Sequence, residues 1–264
     1  MRIRKVIAAI RGLSPKLAGY RILHISDIHF DDKTKSNEVL WQLLHSGAAD
    51  IILITGDFVT QESNIDSVVA YLKNSKASDG VFGVLGNHDY YFLSIMQHVR
   101  HRVMKRPYIP NDWKRLVAEL SGIGIKILIN ESANIRTSNG SSLFIEGTDD
   151  PVRGNPEIRD RDSAYELSEL KILLSHSPDI LYSDHLKKKR FDMLLSGHTH
   201  GGQIRVPGIG AVLTGTKYAK RSESYGVYRT SDDMFVNVSS GIGYSLLPLR
   251  INCPPEVTLI ALEG

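Results

Sequence analysis

The chain has 264 residues, of which 42% are hydrophobic and 23% charged, and its formal net charge is +3. These values are typical of a soluble globular protein that can bury a full core. The mildly basic charge is compatible with an anionic substrate or an acidic lipid surface. A single cysteine, Cys253, excludes an internal disulfide and a cysteine-rich zinc site, and it fits a reducing compartment.

The first residues are basic, but the apolar run from Val6 to Ile10 has only five residues. That run is shorter than the ~7–15 apolar residues of a signal peptide and the ~20 of a membrane span. We therefore expect residues 1–19 to form an N-terminal tail or a short helix. The alternative is a basic amphipathic segment that lies on a membrane. Without an export signal, a cytoplasmic location is expected.

Five short apolar runs end in polar residues that include Asp, His and Gly. Their length indicates buried strands rather than helices. These runs are Arg21–Ile25, Ile51–Thr55, Val81–Leu85, Leu170–Leu174 and Phe191–Leu195. Helical spacing after a capping residue predicts helices in the windows Ser36–Ser46, Ser63–Lys73 and Asn111–Leu120, and Ser177-Pro178 is a further helix start. Alternating strands and helices predict βαβ units.

The later part of the chain changes to a hairpin pattern. Ala133–Thr137 and Ser142–Glu146 flank the turn residues Asn139 and Gly140. Further strands are predicted at Tyr225–Arg229, Phe235–Val238 and Val257–Leu262. No linker or internal repeat is visible. We predict one domain over residues 1–264, of mixed α/β class, with parallel and antiparallel portions of sheet.

Side chains that can bind metal ions follow all five predicted strands. They are Asp27, His29, Asp57, Asn87, His88, Asp89, His176, His198 and His200. One histidine in a turn is more often structural, but core packing does not explain such groups at five strand ends, where α/β proteins gather functional residues. Carboxylate, amide and imidazole ligands favour manganese, with iron or zinc as alternatives. The set is too large for one ion, so two divalent ions bridged by a carboxylate such as Asp57 are expected.

Five motifs resemble, in the same order, the blocks of the calcineurin-like metallophosphoesterases. They are DIH at 27–29, GD at 56–57, GNHD at 86–89, SH at 175–176 and GHTH at 197–200. The resemblance implies a four-layer αββα sandwich of two mixed β-sheets. It also implies a metal-dependent hydrolase rather than the rival class, a metal-loaded binding scaffold without activity.

The same resemblance implies roles for the strand-end residues. One ion would be bound by Asp27, His29, Asp57 and His200, and the other by Asp57, Asn87, His176 and His198. His88 would contact the phosphate and protonate the leaving oxygen, and Asp89 would orient His88.

A finer resemblance rests on GTDDP at 147–151, on residues 197–210 and on residues 239–259. These segments are similar to a bacterial branch that contains the YkuE-type phosphoesterases and the LpxG-type enzymes. The latter cleave the pyrophosphate of UDP-2,3-diacylglucosamine in lipid A biosynthesis. The expected reaction is attack of a metal-bound hydroxide on the phosphorus of such a lipid-linked nucleotide. The alternative is a phosphodiesterase or phosphomonoesterase that acts on a soluble substrate.

Two segments bear on substrate choice. Residues 90–110, with Arg100, are predicted to form a helical insertion: either a basic amphipathic lid for lipid, or a surface helix packed on the core. The loop Thr214–Ser224 carries Lys217, Lys220 and Arg221, which would grip a diphosphate, or it is a mobile polar loop.

Other partners follow from the same features. A lipid substrate would fit peripheral contact with the cytoplasmic face of an inner membrane. No basic-aromatic stripe points to nucleic acid, so nucleic acid is not expected as a partner. The charge run Lys187–Arg190 is predicted to be a solvated turn, with a lipid-headgroup contact as the alternative.

Overall fold

The computed structural model describes residues 1–35, 37–245 and 247–264, without the side chains of residues 32, 33 and 188. The strands are β1 Arg2–Ala9, β2 Arg21–Ile25, β3 Ile51–Thr55, β4 Val81–Val84, β5 Tyr91–Phe92, β6 Ile109–Pro110, β7 Ile125–Ile127, β8 Glu131–Arg136, β9 Ser142–Gly147, β10 Leu170–Leu174, β11 Met193–Ser196, β12 Arg205–Val206, β13 Gly210–Ala211, β14 Gly226–Arg229, β15 Phe235–Val238 and β16 Glu256–Glu263. The helices are α1 Asp32–Lys35, α2 Glu38–His45, α3 Ile65–Leu72, α4 Asn87–Tyr90, α5 Ile95–Met104, α6 Trp113–Gly122 and α7 Ser163–Leu167.

Two six-stranded sheets form the centre of the fold. The first has the order β1-β16-β2-β3-β4-β7 and the second the order β14-β15-β11-β10-β9-β8. Both sheets are mixed: β2, β3, β4 and β7 run parallel, as do β9, β10, β11 and β15, whereas β16 pairs antiparallel with β2 and β8 with β9. The predicted mixed α/β class with two mixed sheets is confirmed.

Three apolar cores separate four layers. One core joins α2, α3 and α6 to the outer face of the first sheet, and Phe58 is among its fully buried side chains. A second core lies between the two sheets, and a third lies between the second sheet and the segment that contains α7. Each sheet is thus covered on both faces, which explains the continuous apolar sequences of its central strands. Among the described residues, none of the helices has the length and apolar composition needed to cross a bilayer.

Most of the predicted elements are confirmed within two residues. β2, β3 and β10 have the predicted bounds, and the hairpin around Asn139 and Gly140 is formed by β8 and β9. The first predicted helix begins at Glu38 with Asn37 as its cap, and its predicted start at Ser36 lies outside the described residues. The segment after Ser177 is a 3₁₀ helix, Pro178–Tyr182.

The expectation of a tail or short helix at residues 1–19 is wrong for its first half. Residues 2–9 form strand β1, which pairs in parallel with β16 at the other end of the chain. A short 3₁₀ helix follows at Pro15–Leu17. The sequence did not reveal the strand because its partner lies about 250 residues away, and local periodicity carries no information on such pairing.

The charge run at Lys187–Arg190 is not a fully solvated turn, because Lys189 is buried. Its ammonium lies 2.8 Å from Glu146 Oε2, and the two side chains are 1% and 0% exposed. The ammonium also lies over the rings of Phe144 and Tyr165, at 4.9 and 5.2 Å from the centroids. The other Glu146 oxygen accepts a hydrogen bond from the backbone N–H of Arg159 at 2.6 Å. Both oxygens of Glu146 therefore have a hydrogen-bond donor, and the Lys189 ammonium contacts a carboxylate and two aromatic rings.

We expect Lys189→Ala to lower the free energy of unfolding by about 3–5 kcal/mol, because it leaves the Glu146 carboxylate buried without its cation. Lys187→Ala removes a neighbouring lysine from an exposed ion pair with Asp184 and is expected to have little effect. Urea unfolding of both variants checks this. The double variant Lys189→Met/Glu146→Gln should recover most of the loss. Equal midpoints for Lys189→Ala and Lys187→Ala would contradict the expectation.

Candidate metal centre

The predicted ligands lie at the carboxyl ends of strands from both sheets. Asp27 and His29 follow β2, Asp57 follows β3, and Asn87 is the first residue of α4 after β4. From the second sheet, His176 follows β10, and His198 and His200 follow β11. The backbone N–H of His198 donates to both oxygens of Asp27, at 3.0 and 3.1 Å. The structure therefore brings together side chains that are up to 173 residues apart, from Asp27 to His200.

Most of these residues adopt a backbone conformation that non-glycine residues rarely have. The φ angles are 49° for Asp27, 42° for His29, 54° for Asp57, 68° for His198 and 49° for His200. The left-handed region costs a non-glycine residue of order 1 kcal/mol or more, although Asp and His tolerate it better than most. A strained conformation at five positions of one cluster is typical of a functional site rather than of packing.

Four side chains form the first donor set, which we call cluster A: Asp27, His29, Asp57 and His200. One donor atom from each lies within 4.8 Å of all the others, and the four side chains are buried. His29 Nε2 is 3.2 Å from His200 Nε2 and 3.3 Å from Asp57 Oδ2. His200 Nε2 is 3.5 Å from Asp27 Oδ1.

A second donor set, cluster B, consists of Asp57, Asn87, His176 and His198. Asn87 Oδ1 is 3.1 Å from His176 Nε2 and 2.9 Å from His198 Nδ1. His176 Nε2 is 3.4 Å from Asp57 Oδ2 and 3.3 Å from His198 Nδ1. The same Asp57 oxygen therefore faces histidines of both clusters.

The donor atoms fit divalent cations in their spacing, and the neutral rings of cluster B also fit them in their available tautomers. Donors that bind one ion at about 2.1 Å lie roughly 3.0–3.4 Å apart. The neighbouring donor atoms of the two clusters lie 2.9–3.5 Å apart, which is close to that spacing. His176 Nδ1 lies 2.8 Å from the Thr55 carbonyl, and His198 Nε2 lies 3.3 Å from that of Gly215. A carbonyl accepts but does not donate, so the other nitrogen of each neutral ring keeps a free lone pair that points into cluster B.

Cluster A has one contact of a different kind. His29 Nδ1 lies 3.1 Å from the Thr60 hydroxyl, which can accept its proton and leave Nε2 free. In contrast, His200 Nδ1 lies 3.2 Å from Nη2 of Arg250, which can only donate. The same Nη2 also lies 3.3 Å from the Gly241 carbonyl and within hydrogen-bond distance of the Gly243 carbonyl. Two N–H groups thus face three acceptors, so this contact does not fix which nitrogen of His200 carries the proton.

The ionisation of Asp57, the carboxylate shared by the two clusters, and that of His176 depend on each other. Burial alone would raise the pKa of Asp57, but His176 and His88 hold that pKa well below its ordinary value. Burial alone would lower the pKa of His176, but Asp57 raises it well above its ordinary value. Burial, followed by the charge of His176, lowers the pKa of His198 to about 4. A cation bound by Asp57 therefore competes with the proton on His176.

Comparison with known proteins identifies the family to which these motifs belong. Residues 20–202, more than half of the chain, match the model of the calcineurin-like phosphoesterases. The chain belongs to this family. It is 32% identical over 240 residues to the uncharacterized metallophosphoesterase YkoQ of Bacillus subtilis, covering 90% of this chain and 81% of YkoQ.

Two further relatives match over almost the whole chain. The uncharacterized metallophosphoesterase YkuE of Bacillus subtilis is 28% identical over 253 residues, covering 93% of this chain and 80% of YkuE. The phosphodiesterase YaeI of Escherichia coli is 28% identical over 258 residues, covering 93% of this chain and 83% of YaeI. The predicted class is confirmed: the chain is a hydrolase of the calcineurin-like phosphoesterase family, whose substrates are phosphate esters.

His88 lies beside cluster A and is 5% exposed. Its ring centroid is 4.6 Å from that of His29, and its backbone N–H donates to Asp57 Oδ1 at 2.8 Å. Its Nδ1 has no hydrogen-bond partner among the described residues. Burial lowers the pKa of His88 to about 3, although Asp57 acts in the opposite direction. The ring is therefore neutral at pH 7 and can donate one N–H hydrogen bond.

Asp89 does not orient His88 by a direct hydrogen bond, contrary to the role expected from the sequence. Its carboxylate accepts hydrogen bonds from the backbone N–H groups of Asp57 and Gly86, both at 2.9 Å, and of Val59 at 3.2 Å. Asp89 thus connects the loops after β3 and β4, and acts on the site through their backbone. Burial, followed by the charge of Asp57, raises its pKa to about 7.

The predicted substrate residues are distributed over two regions. Lys217 lies in the loop next to cluster B, where the Gly215 carbonyl contacts His198, and its ammonium is 4.8 Å from the ring centroid of Tyr218. Lys220 lines a separate cavity of about 610 Å³ with Tyr182 and Glu223. Arg221 begins a 3₁₀ helix at Arg221–Glu223, and Arg100 lies on α5. Their contacts with substrate stay predictions.

Two acidic residues near the centre were missed by the sequence analysis. Asp179 accepts hydrogen bonds from three consecutive backbone N–H groups, those of residues 217, 218 and 219, at 2.7–2.9 Å, so it fixes the loop next to His198. Asp150 is fully buried, and its Oδ1 has no hydrogen-bond partner in the described part of the chain. Burial raises its pKa to about 7. In the sequence, Asp150 belongs to the GTDDP motif, and Asp179 follows the helix start Ser177-Pro178.

Gly86 marks the point where the loops of clusters A and B come closest. A Cβ atom at this position would collide with the Asp57 carboxylate and lie 2.6 Å from His176 Cε1. Gly56 is equally confined, since its Cβ would lie 2.6 Å from the nitrogen of Gly86. The glycines of the GD and GNHD motifs therefore allow two backbones and the shared carboxylate to occupy the same space.

We expect Gly86→Ala to lower the free energy of unfolding by about 1–3 kcal/mol, as overpacking of a dense site does. It should also weaken binding of divalent cations, because Asp57 and His176 must move apart. Gly122→Ala is the matched control, since a Cβ there meets nothing within 4 Å. Urea unfolding and calorimetric titration with Mn²⁺ give the two measurements. Unchanged cation affinity in Gly86→Ala would show that the contact is not required.

Proposed function

We propose that the chain is a two-metal phosphohydrolase whose substrate is a lipid-linked nucleotide diphosphate of the UDP-2,3-diacylglucosamine type. The observation that carries the two-metal part is the position of Asp57 Oδ2, 3.3 Å from His29 Nε2 in cluster A and 3.4 Å from His176 Nε2 in cluster B. One carboxylate oxygen between two donor sets is the arrangement expected of a bridging ligand.

The protein residues have separate tasks in this proposal. Cluster A and cluster B each hold one divalent ion, manganese being favoured and iron or zinc being the alternatives. Bound ions would supply a Lewis-acid clamp that polarises the phosphoryl group and lowers the pKa of water. Asp89 and Gly86 fix the loops after β3 and β4 relative to each other. Asp179 holds the loop whose Gly215 carbonyl contacts His198.

His88 is proposed to contact the phosphate and to assist the leaving oxygen. It is the histidine next to cluster A that belongs to neither donor set, and its ring centroid lies 4.6 Å from that of the ligand-set residue His29. As a neutral ring it donates a hydrogen bond to a phosphate oxygen. An anionic substrate beside it would raise its pKa and so favour transfer of a proton to the leaving oxygen.

The bridging role of Asp57 predicts a loss of more than one ion. After loading with Mn²⁺ and desalting, the protein should retain about two ions per chain, and Asp57→Asn fewer than one, because both donor sets lose their shared charge. Asp192→Asn is the control: Asp192 accepts a backbone hydrogen bond from Lys171, which an amide oxygen can also accept. Metal content is measured by mass spectrometry. Retention of one ion by Asp57→Asn would indicate two independent sites.

The lipid part of the proposal is supported by α5, which begins at Ile95, after the short strand β5 that follows α4 and His88. Its apolar residues do not pack on the core: Ile95 is 48%, Val99 47% and Val103 71% exposed. A cavity of about 730 Å³ runs along these residues to Tyr108. This arrangement differs from an ordinary surface helix packed on the core and suits contact with acyl chains. The alternative is a soluble phosphodiester or phosphomonoester, in line with the name of YaeI as a phosphodiesterase.

The manganese-loaded protein should release UMP from UDP-2,3-diacylglucosamine and also cleave bis-p-nitrophenyl phosphate. His88→Ala should lower both rates about 10²- to 10⁴-fold, as loss of an acid–base group does, while the metal content stays unchanged. His45→Ala, at the end of α2, is the control. Cleavage of the diester alone would reject the lipid-linked substrate and favour the soluble alternative. Cleavage of neither would reject the proposed activity.

A further inference from the structure

The helix α5 has an apolar stripe that faces away from the protein. Ile95, Met96, Val99 and Val103 share one side of the helix and are 47–71% exposed. Gln97, the buried residue of α5, lies on the opposite side, because each residue advances about 100° around an α-helix. Ordinary surface helices have the reverse arrangement, with the apolar side buried. The stripe is therefore available to a partner.

A second exposed apolar area lies on the segment that follows His200. The β12–β13 hairpin and the chain after it expose Ile209 (61%), Val212 (48%) and Leu213 (78%). Residues 247–251 lie alongside, since the N–H of Arg205 donates to the Ile251 carbonyl at 3.0 Å, and they expose Leu247 (49%) and Leu249 (48%). We call this area the hairpin patch.

Both areas adjoin the metal centre through direct contacts. The segment 90–111, which contains α5, ends at Asn111. The side-chain amide of Asn111 donates to the His88 carbonyl at 2.8 Å. The hairpin begins immediately after the short 3₁₀ helix His200–Gly202, and the Gly215 carbonyl that follows Leu213 contacts His198. The segments that carry the stripe and the hairpin patch therefore both adjoin the strand ends that carry clusters A and B.

The charge of the flanking segments indicates which partner they fit. The chain has 29 acidic residues, but residues 90–111, 193–222 and 239–255 contain none. The same segments contain nine lysines and arginines: Arg100, Arg102, Lys105, Arg106, Arg205, Lys217, Lys220, Arg221 and Arg250. Exposed apolar side chains in segments that carry cations and no acidic residues are the pattern of surfaces that bind anionic lipid.

We propose that the α5 stripe and the hairpin patch together form a docking surface for an anionic phospholipid bilayer beside the metal centre. This inference rests on the proposed function, because it supplies the surface from which a lipid-linked substrate would be taken. It goes further in assigning a partner and in giving the β12–β13 hairpin a role. The apolar side chains enter the interface, and the surrounding cations pair with lipid phosphates.

The test is flotation of the full chain with vesicles, without substrate. The wild-type protein should bind vesicles of phosphatidylglycerol and phosphatidylcholine and not vesicles of phosphatidylcholine alone. Val99→Glu/Val103→Glu on α5 and Leu213→Glu on the hairpin patch should each reduce the bound fraction roughly tenfold or more. Leu167→Glu is the matched control, since Leu167 is 78% exposed on α7, away from both areas. Urea unfolding of each variant checks that its fold is intact.

Three results would overturn the inference. The first is absence of binding to anionic vesicles, and the second is full binding by either glutamate variant. The third is a dimer, detected by light scattering, that only these variants dissociate. The apolar areas would then join two copies of the chain. Turnover of UDP-2,3-diacylglucosamine in detergent is a separate measurement of the proposed function. Docking can therefore fail while that activity is present, and the activity can fail while docking is present.

Discussion

The metal centre depends on left-handed backbone turns at the ends of β2, β3 and β11. A strand that ends in an ordinary turn would direct its next side chains along the sheet, whereas these turns direct Asp27, Asp57 and His200 into one small volume. The conformation is unfavourable for each residue. It persists because the surrounding contacts fix it: the N–H of His198 is held by Asp27, and that of Asp57 by Asp89. Two apolar cores, one between the sheets and one on the outer face of the first sheet, provide the rigid frame for these contacts.

The same frame explains why the centre joins the two sheets. Asp57 comes from the first sheet and faces His176 from the second, and the Thr55 carbonyl that orients His176 also belongs to the first. The two sheets are thus linked by polar contacts at one edge and by an apolar core elsewhere. Removal of a side chain from this edge affects both the position of its neighbours and the balance of buried charge, so single substitutions there act on more than one ligand.

Much of this could be predicted from the sequence, for physical reasons that differ between elements. The buried strands β2, β3 and β10 are short apolar runs, and their ends are marked by Gly, Asp and His, so both the strands and the metal residues were found. Strand β1 was missed because its pairing with β16 is not local. The burial of Lys189 and the backbone contacts of Asp89 were not predicted, because a sequence shows neither which charged side chains are buried nor which groups they contact.

The two ends of the segment that contains α5 pair with each other. Tyr91 pairs with Pro110 and Phe92 with Ile109, so the chain leaves and returns at one place, and Asn111 fixes the return to the His88 carbonyl. The segment between contributes few buried side chains to the three cores. Its length and composition can therefore change during evolution, or in the laboratory, without disturbing the frame that holds the ligands. Changes in this segment can therefore alter the surface beside the metal centre while the chemistry of the centre stays the same.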